Sequence, residues 1–418
     1  MKNHNRRVVI TGMGVVAPNG IGIDKFWDSL VHGRSGVRRI THFDASTYPC
    51  QVAAEVPDFD PTDYIDIKTI KRLDKFVHYS LVASSLAIKD AEVKVPYKDP
   101  YRIGVFLGTA IGGGETSEIQ HSIFLEKGFK RIAPYTVFGI STHSASAVIS
   151  ETFLFKGPNT TISAGCNSGL DACYLAYNEI RMGDADIMIV SGAEAPITPY
   201  IVSVFSACGV LSTQNEDPRT TVKPYDIKAS GMVLGEGGGT IVIEELNHAM
   251  RRGAKIYGEI LGYSSISEAY VYGVETDTEP MAKAFKVALE KTHLKPSDID
   301  YINSHGNGIL SYDIGETEAI KKVFGESAYK IPVSSIKPIT GQSLSPTGIY
   351  QVITSLLVIQ NGIIPPTINH ENPAPKCDLN YVPKHYIKKN VDAVILNAHG
   401  FGGRHTVLVI GKFHADQK

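Results

Sequence analysis

Cys166 stands between two glycines, in the stretch SAGCNSG at 163–169. The residues before it, 158–163, are rich in β-branched side chains and predict a short strand. The residues after it, 170–182, repeat apolar side chains at helical spacing and predict a helix. A thiol at a helix N-terminus lies at the positive end of the dipole, which favours the nucleophilic thiolate. This is the layout of a nucleophile elbow. The alternative is a small, buried and inert side chain.

Three more glycine turns follow short apolar stretches: NSHGNGILSYDIGETEA, PVSSIKPITGQSLSPTG and LNAHGFGGRH. His305, at the end of a predicted strand, could be an acid, a base or a hydrogen-bond donor. Lys337 is either a solvated surface charge or a buried group. It could pair with Glu316 if the two loops meet, and the sequence leaves both alternatives open.

Predicted strands and helices alternate along the chain, which is typical of α/β layers with helices covering sheets. The predicted strands are 7–10, 102–107, 160–163, 186–191, 239–244, 256–264, 299–303, 333–335, 393–397 and 406–410. The predicted helices are 25–32, 73–91, 144–153, 170–182, 279–291, 313–324 and 348–360. A similar order of elements recurs in both parts of the chain, and no linker-like segment separates them.

The repeated order predicts two halves, 1–252 carrying Cys166 and 253–418 carrying His305, Lys337, Gln342 and the GFGG turn. With a net charge of −2 over 418 residues, the chain gives no electrostatic basis for binding nucleic acid or an anionic membrane. Its five cysteines do not form a disulfide framework, so we expect a reducing, cytoplasmic setting. No cysteine pair has zinc-finger spacing, no His-Glu-x-x-His motif occurs, and no apolar run could span a bilayer.

These motifs together resemble the β-ketoacyl-ACP synthases of the type I/II class, in the thiolase-fold superfamily. The resemblance covers nearly the whole chain, through VVITGMGVVAPNG, GTAIGGGE, GDADIMIVSGAEAPITP, FSACGVLST, RTTVKPYDIKASGMVLGEGGGTIVIEE, SSIKPITGQ and NAHGFGG. It implies a duplicated thiolase fold, layered α-β-α-β-α with two mixed five-stranded sheets. It also implies an acyl carrier protein that delivers substrates on phosphopantetheine, no separate cofactor, and a homodimer or a heterodimer with a related chain.

The resemblance also implies a role for each site residue. Cys166 matches the acyl acceptor, and His305 matches the histidine that assists malonyl decarboxylation and stabilises the enolate. Lys337 matches the lysine behind the site, with Glu316 as its acidic partner. Phe401 matches the gating phenylalanine, and its backbone N–H would form an oxyanion hole with that of Cys166.

Around the acyl and phosphopantetheine sites, Ile111 matches the residue that gates the acyl pocket, but other positions depart from the family pattern. Gln342 stands at the place of the second histidine. Asn307 and Ile309 replace two threonines that bind phosphopantetheine, and His399 replaces a phenylalanine. Two segments also differ, Glu268-Ala269-Tyr270-Val271 for Asp-Ala-Tyr-His and Ser345-Pro346-Thr347-Gly348 for Gly-Ala-Ala-Gly.

Glutamine at position 342 keeps a hydrogen-bond donor and an acceptor but cannot take up a proton. Either the Gln342 amide replaces the lost imidazole, or His399 from the neighbouring loop does. Pro346 could re-aim the turn that carries Gln342.

Three functions remain open at this point. The first is a condensing enzyme of a specialised fatty-acid or polyketide pathway, which the retained Cys166, His305, Lys337 and Glu316 favour. The second is a non-condensing partner like a chain-length factor, and the third is an acyltransferase that loads Cys166 without decarboxylation. The resemblance places the dimer interface at 135–155 and 160–163. Basic side chains that could meet an acidic carrier, or could simply be solvated, are Lys68, Lys71, Arg72, Lys127, Lys130 and Arg131.

Overall fold

A computed structural model describes residues 6–269 and 277–415, so Tyr270 and Val271 of the divergent loop lie outside the described residues. The strands are β1 (Val8–Ala17), β2 (Gly20–Ile21), β3 (Arg38–Arg39), β4 (Val52–Ala53), β5 (Ile103–Gly108), β6 (Asn159–Ile162), β7 (Ile187–Glu194), β8 (Gly237–Glu245), β9 (Gly258–Ser267), β10 (Tyr301–Asn303), β11 (Val333–Ser334), β12 (Ile363–Ile364), β13 (Ile387–Lys388), β14 (Ala393–Gly400) and β15 (Arg404–Gly411). The helices are α1 (Ile23–Val31), α2 (Ile67–Ile70), α3 (Lys75–Asp90), α4 (Gly114–Lys127), α5 (Thr136–Gly139), α6 (Ser144–Phe153), α7 (Ser168–Met182), α8 (Pro199–Ala207), α9 (Leu246–Arg251), α10 (Thr278–Glu290), α11 (Leu310–Phe324), α12 (Lys337–Thr340) and α13 (Ser345–Asn361).

The main sheet contains two five-stranded arrays. The first has the order β6-β5-β7-β8-β1 and the second β9-β15-β14-β10-β11. In the first array β5 is parallel to β6 and β7, and in the second β10 is parallel to β11 and β14. The other neighbours are antiparallel, so both arrays are mixed, as predicted. A short antiparallel pairing of β1 with β9, at Val9–Glu259 and Ile10–Gly258, joins the arrays into one hydrogen-bonded sheet.

The helices form three layers around these arrays. On the outer face of the first array, α3 packs against β1, β7 and β8, while α10 packs against β9 and β15 of the second, with α11 against α10. Between the arrays, α7 contacts β5 and β7, and α13 contacts β7, β8 and β14. The α-β-α-β-α layering predicted from the sequence is confirmed. Within the described residues, no helix has the length and apolar character needed to cross a membrane.

The central helices are buried on every side, which explains their composition. Residues 345–359 of α13 are all buried, as expected for a helix enclosed by two sheets. Close approach of α7 requires glycine, because a Cβ at Gly169 would clash with the carbonyl oxygen of Ser345, and one at Gly108 would clash with Ser168. The glycines at the end of β5 and in the first turn of α7 therefore allow the central helices to pack closely.

The loops that carry the conspicuous motifs all follow the carboxyl ends of parallel strands. In the first half these are the loops after β5, β6 and β7, and in the second half the loops after β10, β11 and β14. Contacts of β14 and α13 with the Gly165–Asn167 turn bring the two sets of loops together. Ligands of α/β sheets bind at such strand ends, so the fold assembles one site from both halves.

Candidate active site

Cys166 lies in a tight turn between a strand and a buried helix, as the sequence predicted. After β6 ends at Ile162, residues Gly165–Asn167 form one turn of 3-10 helix, and α7 begins at Ser168. Gly165 has φ of +60°, a conformation that glycine adopts at little cost. The Cys166 side chain is buried, at 6% exposure.

The protonation of the Cys166 thiol differs from the sequence-based expectation. Burial raises the pKa of Cys166 to about 11, and the carboxylate of Glu194 adds to the increase, whereas the charge of Lys337 and the amide of Gln342 lower it. The backbone N–H of Cys166, at the start of the helix, also lowers this pKa, but desolvation outweighs it. A thiol with this pKa is protonated at neutral pH.

Asn167, which the sequence reasoning missed, fastens the cysteine turn to the β14–β15 hairpin. Its Nδ2 donates to the carbonyl oxygen of Ala398 and to Thr406 Oγ1, both at 2.9 Å. A Cβ placed on Gly400 would clash with Asn167 Oδ1 and lie 3.7 Å from the Cys166 nitrogen. The Gly-Phe-Gly-Gly turn therefore begins beside the Cys166 amide. The only available sequence signal was a polar residue directly after the candidate nucleophile.

His305 is buried in a loop that Glu316 holds through the backbone. The Glu316 carboxylate accepts hydrogen bonds from the N–H groups of His305 at 2.7 Å and Gly306 at 2.9 Å. The His305 Nδ1 accepts from the backbone N–H of His399 at 3.2 Å. A neutral His305 ring in this arrangement carries its proton on Nε2. That Nε2 is buried and has no hydrogen-bond partner among the residues that the structure describes.

The surroundings keep His305 neutral. Burial, followed by the charge of Lys337 and the neighbouring His399 and His405, lowers the pKa of His305 well below its ordinary value. Burial also lowers the pKa of Lys337 to about 8, although Glu316 opposes this shift. Of the roles left open by the sequence, the geometry favours hydrogen-bond donation from Nε2.

Lys337 and Glu316 meet at one loop without forming the direct ion pair that the sequence allowed. The Lys337 ammonium donates to the carbonyl oxygen of His305, while Glu316 accepts from the N–H groups on the other side of the same loop. Glu316 also accepts from Tyr225 Oη at 2.7 Å and from Asn397 Nδ2. The lysine is buried rather than a solvated surface charge, and the two groups together fix the position of His305.

Gln342 presents its amide nitrogen to the cysteine. The amide oxygen accepts from Thr347 Oγ1 at 3.2 Å, so the nitrogen lies on the opposite side of the group. This Nε2 is close enough to the thiol to lower the pKa of Cys166, but it makes no conventional hydrogen bond to a described residue. Pro346 lies in the first turn of α13, where a helix tolerates proline, and it leaves the Gln342 amide beside the thiol.

The ring of His399 does not occupy the place of the missing imidazole. Its Nε2 is 2.8 Å from Asn397 Nδ2, and its Nδ1 is 2.8 Å from Nδ1 of His405. Both ring nitrogens are therefore engaged. The His399 ring lies against that of His305, with centroids 5.3 Å apart, and the backbone N–H of His399 donates to His305 Nδ1. The geometry supports the Gln342 alternative and not the His399 alternative.

The remaining candidates, Ile111, Ile309, Asn307 and Phe401, have different environments. Ile111 and Ile309 belong to the same apolar cluster as Cys166. The Asn307 side chain closes its own loop, because its Oδ1 accepts from the Ile309 N–H at 3.0 Å. Phe401 is 39% exposed, and its ring centroid lies 6.2 Å from that of Tyr312, a member of the cluster.

A buried carboxylate that the sequence reasoning missed positions the Ile111 loop. Glu194, at the end of β7, accepts from Thr109 Oγ1 and the Ala110 N–H at 2.6 Å and from the Ile111 N–H at 3.1 Å. Burial raises the pKa of Glu194 to about 7, in opposition to these hydrogen bonds. Over residues 6–269 and 277–415, no group of three or more His, Cys, Asp or Glu side chains is arranged to hold a metal ion.

Comparison with known proteins identifies relatives over nearly the full length. The family model "Beta-ketoacyl synthase, N-terminal domain" matches residues 5–249, and "Beta-ketoacyl synthase, C-terminal domain" matches residues 257–371. The chain is 40% identical to 3-oxoacyl-[acyl-carrier-protein] synthase 2 of Coxiella burnetii over 408 residues, which cover 97% of this chain and 99% of the relative. It is 39% identical to the protein of the same name from Synechocystis over 409 residues, covering 98% of each.

Solved structures give the same result. The ishigamide ketosynthase/chain length factor superposes with a TM-score of 0.92 at 30% identity, covering 98% of this chain and all of that one. The AntDE:AntF complex, a type II polyketide acyl-carrier protein with its ketosynthase bound to the hexaketide, superposes with a TM-score of 0.90 at 32% identity and the same coverage. The chain belongs to the beta-ketoacyl synthase family.

Proposed function

We propose that this chain condenses an acyl group, held as a thioester on Cys166, with a malonyl group held on an acyl carrier protein, and that carbon dioxide is lost in the step. One observation carries the proposal. Two buried N–H donors, His305 Nε2 and Gln342 Nε2, have no partner among the described residues, and the Gln342 amide lies beside the buried thiol. An unpaired buried donor is costly, and a substrate carbonyl would satisfy both donors.

The first half-reaction transfers the acyl group. The Cys166 sulfur attacks the carbonyl carbon of the incoming thioester, and its proton passes to the departing phosphopantetheine thiol. The oxyanion of the tetrahedral intermediate accepts hydrogen bonds from the backbone N–H groups of Cys166 and Phe401. Lys337 assists because its charge lowers the pKa of the thiol, against the larger effect of burial.

The second half-reaction forms the carbon–carbon bond. The malonyl thioester oxygen accepts hydrogen bonds from His305 Nε2 and Gln342 Nε2, which stabilise the enolate as the C–CO₂ bond breaks. The enolate carbon then attacks the acyl carbon on Cys166, the C–S bond breaks, and the departing thiolate takes from water the one proton that the overall reaction consumes, which regenerates the thiol. The low pKa of His305 keeps it neutral, so this step requires donation from Nε2 and no transferable proton.

An acyl carrier protein is the proposed partner that brings both substrates on phosphopantetheine, with no further cofactor. The complex of the similar AntDE:AntF ketosynthase with its carrier supports this proposal. The six basic side chains singled out above are all exposed. Lys71 and Arg72 line a surface cavity together with Ile119 and Gln120 of α4. An acidic carrier would find complementary charge there.

A second ketosynthase-like chain is the proposed partner at the outer edge of β6. This strand ends the sheet, and an unpaired sheet edge readily accepts another strand. Helices α4 and α5 pack on each other and expose large apolar side chains, Ile119, Phe124, Leu125 and Val137. Light scattering at micromolar concentration should give a dimer. A monomer would contradict this part of the proposal, and mixing with a related chain would distinguish a homodimer from a heterodimer.

A non-condensing partner subunit is the second candidate, and Gln342 is the observation that favours it. One assay distinguishes the condensing enzyme, the partner subunit and an acyltransferase without decarboxylation. The protein is supplied with acyl-ACP and malonyl-ACP, and acyl-Cys166 and the β-ketoacyl product are measured by mass spectrometry. We expect product from the wild type and from Cys208→Ala, a control at an exposed cysteine, and none from Cys166→Ala. If acyl-Cys166 forms but no product appears, the chain is an acyltransferase. If neither acyl-Cys166 nor product forms, the chain is a non-condensing partner subunit.

Two further features remain proposals. We place the boundary between the halves at 252/253, between the end of α9 at Arg251 and the start of β9 at Gly258. We propose a cytoplasmic location, because all five cysteines have free thiols, as in proteins of reducing compartments.

A further inference from the structure

Behind His305 lies a group of buried polar side chains, His399, His405 and Glu268, which the mechanism above does not use. The two histidines are cross-strand partners in the β14–β15 hairpin, and their ring centroids are 4.8 Å apart. The side chains of both histidines are 0% exposed and that of Glu268 is 3% exposed. Burying three such groups is costly unless each has its hydrogen-bond partners.

One arrangement of protons satisfies every ring nitrogen in this group. The Glu268 carboxylate accepts from His405 Nε2 at 2.6 Å, so the neutral His405 has its acceptor at Nδ1. His399 Nδ1 then donates to His405 Nδ1 across 2.8 Å, which leaves His399 Nε2 to accept from Asn397. Burial lowers the pKa of His399 and His405, in agreement with neutral rings.

The same hydrogen bonds close a ring around His305. Asn397 also donates to Glu316, and Glu316 accepts from the backbone N–H of His305. On the other side, the backbone N–H of His399 donates to His305 Nδ1 at 3.2 Å. The position of that N–H depends on the hairpin, and the His399–His405 contact joins the two strands one residue pair before the Gly-Phe-Gly-Gly turn.

We propose that His399, His405 and Glu268 are positioning residues for the condensation step, because they hold the His399 N–H against His305 Nδ1 and so keep the His305 proton on Nε2. If this contact loosens, the proton can move to Nδ1, and Nε2 can no longer donate to the malonyl carbonyl. The inference rests on the proposed function, in which His305 acts in condensation but not in acyl transfer to Cys166.

The test compares two rates in one set of variants. His405→Phe and Glu268→Ala break the group, whereas Glu268→Gln keeps an oxygen that can accept from His405. His248→Phe is the matched control, because His248 also lies between a carboxylate, Glu244, and a second partner, Tyr97, outside the site. We expect condensation to fall about tenfold or more in the two disruptive variants, part of the effect of losing an oxyanion donor. Acyl loading of Cys166 should stay within about twofold of the wild-type rate in these variants. Glu268→Gln should recover part of the condensation rate, and His248→Phe should show no loss of condensation relative to loading.

Equal losses in loading and condensation would overturn the inference, since they would show a structural role only. Unchanged condensation would overturn it as well. Nitrogen-15 NMR of labelled histidines, assigned with His305→Ala, gives a second readout that does not need activity. A His305 ring protonated on Nε2 in the wild type and partly on Nδ1 in His405→Phe supports the inference, and the same tautomer in both contradicts it. A wild type that shows the tautomer but forms no product would instead refute the proposed function alone.

Discussion

The turns that precede the two central helices occupy matching places in the two halves but present different groups. Before α7, a single 3-10 turn delivers Cys166 at the start of the helix. Before α13, the chain forms the short helix α12, which carries Lys337, and then Gln342 and the strained Leu344, at φ of +55°. The first turn is held by neutral contacts such as that of Asn167, whereas the second brings a buried ammonium and an amide.

This difference indicates how the duplicated fold divides the chemistry. The first half supplies an acceptor thiol in largely apolar surroundings, which raise its pKa to about 11. The second half supplies the donors and the charge, from His305, Lys337 and Gln342. Loss of a hydrogen-bond donor of the second half, His305 or Gln342, should therefore impair condensation more than acyl loading.

The largest difference between the loss of condensation and the loss of acyl loading is expected for His305→Ala. The variant removes a buried donor to the enolate, so condensation should fall about a thousandfold or more while Cys166 is still acylated. Single-turnover mass spectrometry measures both events in one sample. A parallel loss of acylation would show that His305 also serves the first half-reaction.

Gln342 offers the sharpest test of the departure from the family pattern. Gln342→Ala should slow condensation about ten- to a thousandfold, because it removes one oxyanion-type donor. Gln342→His should be tolerated or faster, since imidazole also offers an N–H. Steady-state product formation measures both variants, and unchanged turnover in Gln342→Ala would exclude a role of the amide.

The charge of Lys337 should be visible in the reactivity of Cys166. A thiol with a pKa of about 11 is mostly protonated at neutral pH, so its alkylation by iodoacetamide should accelerate about tenfold for each pH unit below about pH 8. Above the Lys337 pKa of about 8 the rise should flatten, because the lysine loses the charge that lowers the pKa of the thiol. Lys337→Met removes this favourable charge and raises the pKa of Cys166 further, which should slow alkylation about tenfold at pH 7, where Lys337 is charged.

Peptide mapping distinguishes Cys166 from the exposed Cys208, whose alkylation rate should be the same in both proteins and serves as the internal control. A Cys166 rate that does not change with pH, or that is unaffected by Lys337→Met, would contradict the electrostatic account.

The smallest effect is expected in the first half, at Asn167. Asn167→Ala removes the two buried hydrogen bonds of Nδ2 to Ala398 and Thr406, so the free energy of unfolding should fall by about 1–3 kcal/mol. Urea unfolding monitored by circular dichroism measures the change. An Asn167→Asp variant with wild-type stability would argue against the donor role of Nδ2.

Much of the fold was predictable because most elements have a regular apolar pattern. All ten predicted strands and all seven predicted helices are present, with shifted ends; β1, for example, continues through two glycines to Ala17. Helix α4 was missed because none of its residues is buried and its apolar side chains form no stripe. Short helices such as α12 also escaped, since periodicity needs length.

The site was predictable only in part, for a different reason. The motifs led to Cys166, His305, Lys337, Glu316 and Gln342, and the structure brings these residues together because the carboxyl ends of parallel strands meet. The direction of a ring or the strength of desolvation depends on neighbours distant in sequence. Glu268 and His405, 137 residues apart, form one hydrogen bond that no local pattern indicates.

In this division the first half holds the acyl group while the second half drives its condensation, and one experiment tests the division directly. The protein is incubated with acyl-ACP, its intact mass is measured, the modified peptide is mapped, and malonyl-ACP is then added. We predict one acyl group on Cys166 that disappears within one turnover as the β-ketoacyl product forms, and that persists in His305→Ala. Three results would contradict this division: no acyl adduct at all, an adduct on another cysteine, or an adduct on the wild type that malonyl-ACP does not discharge.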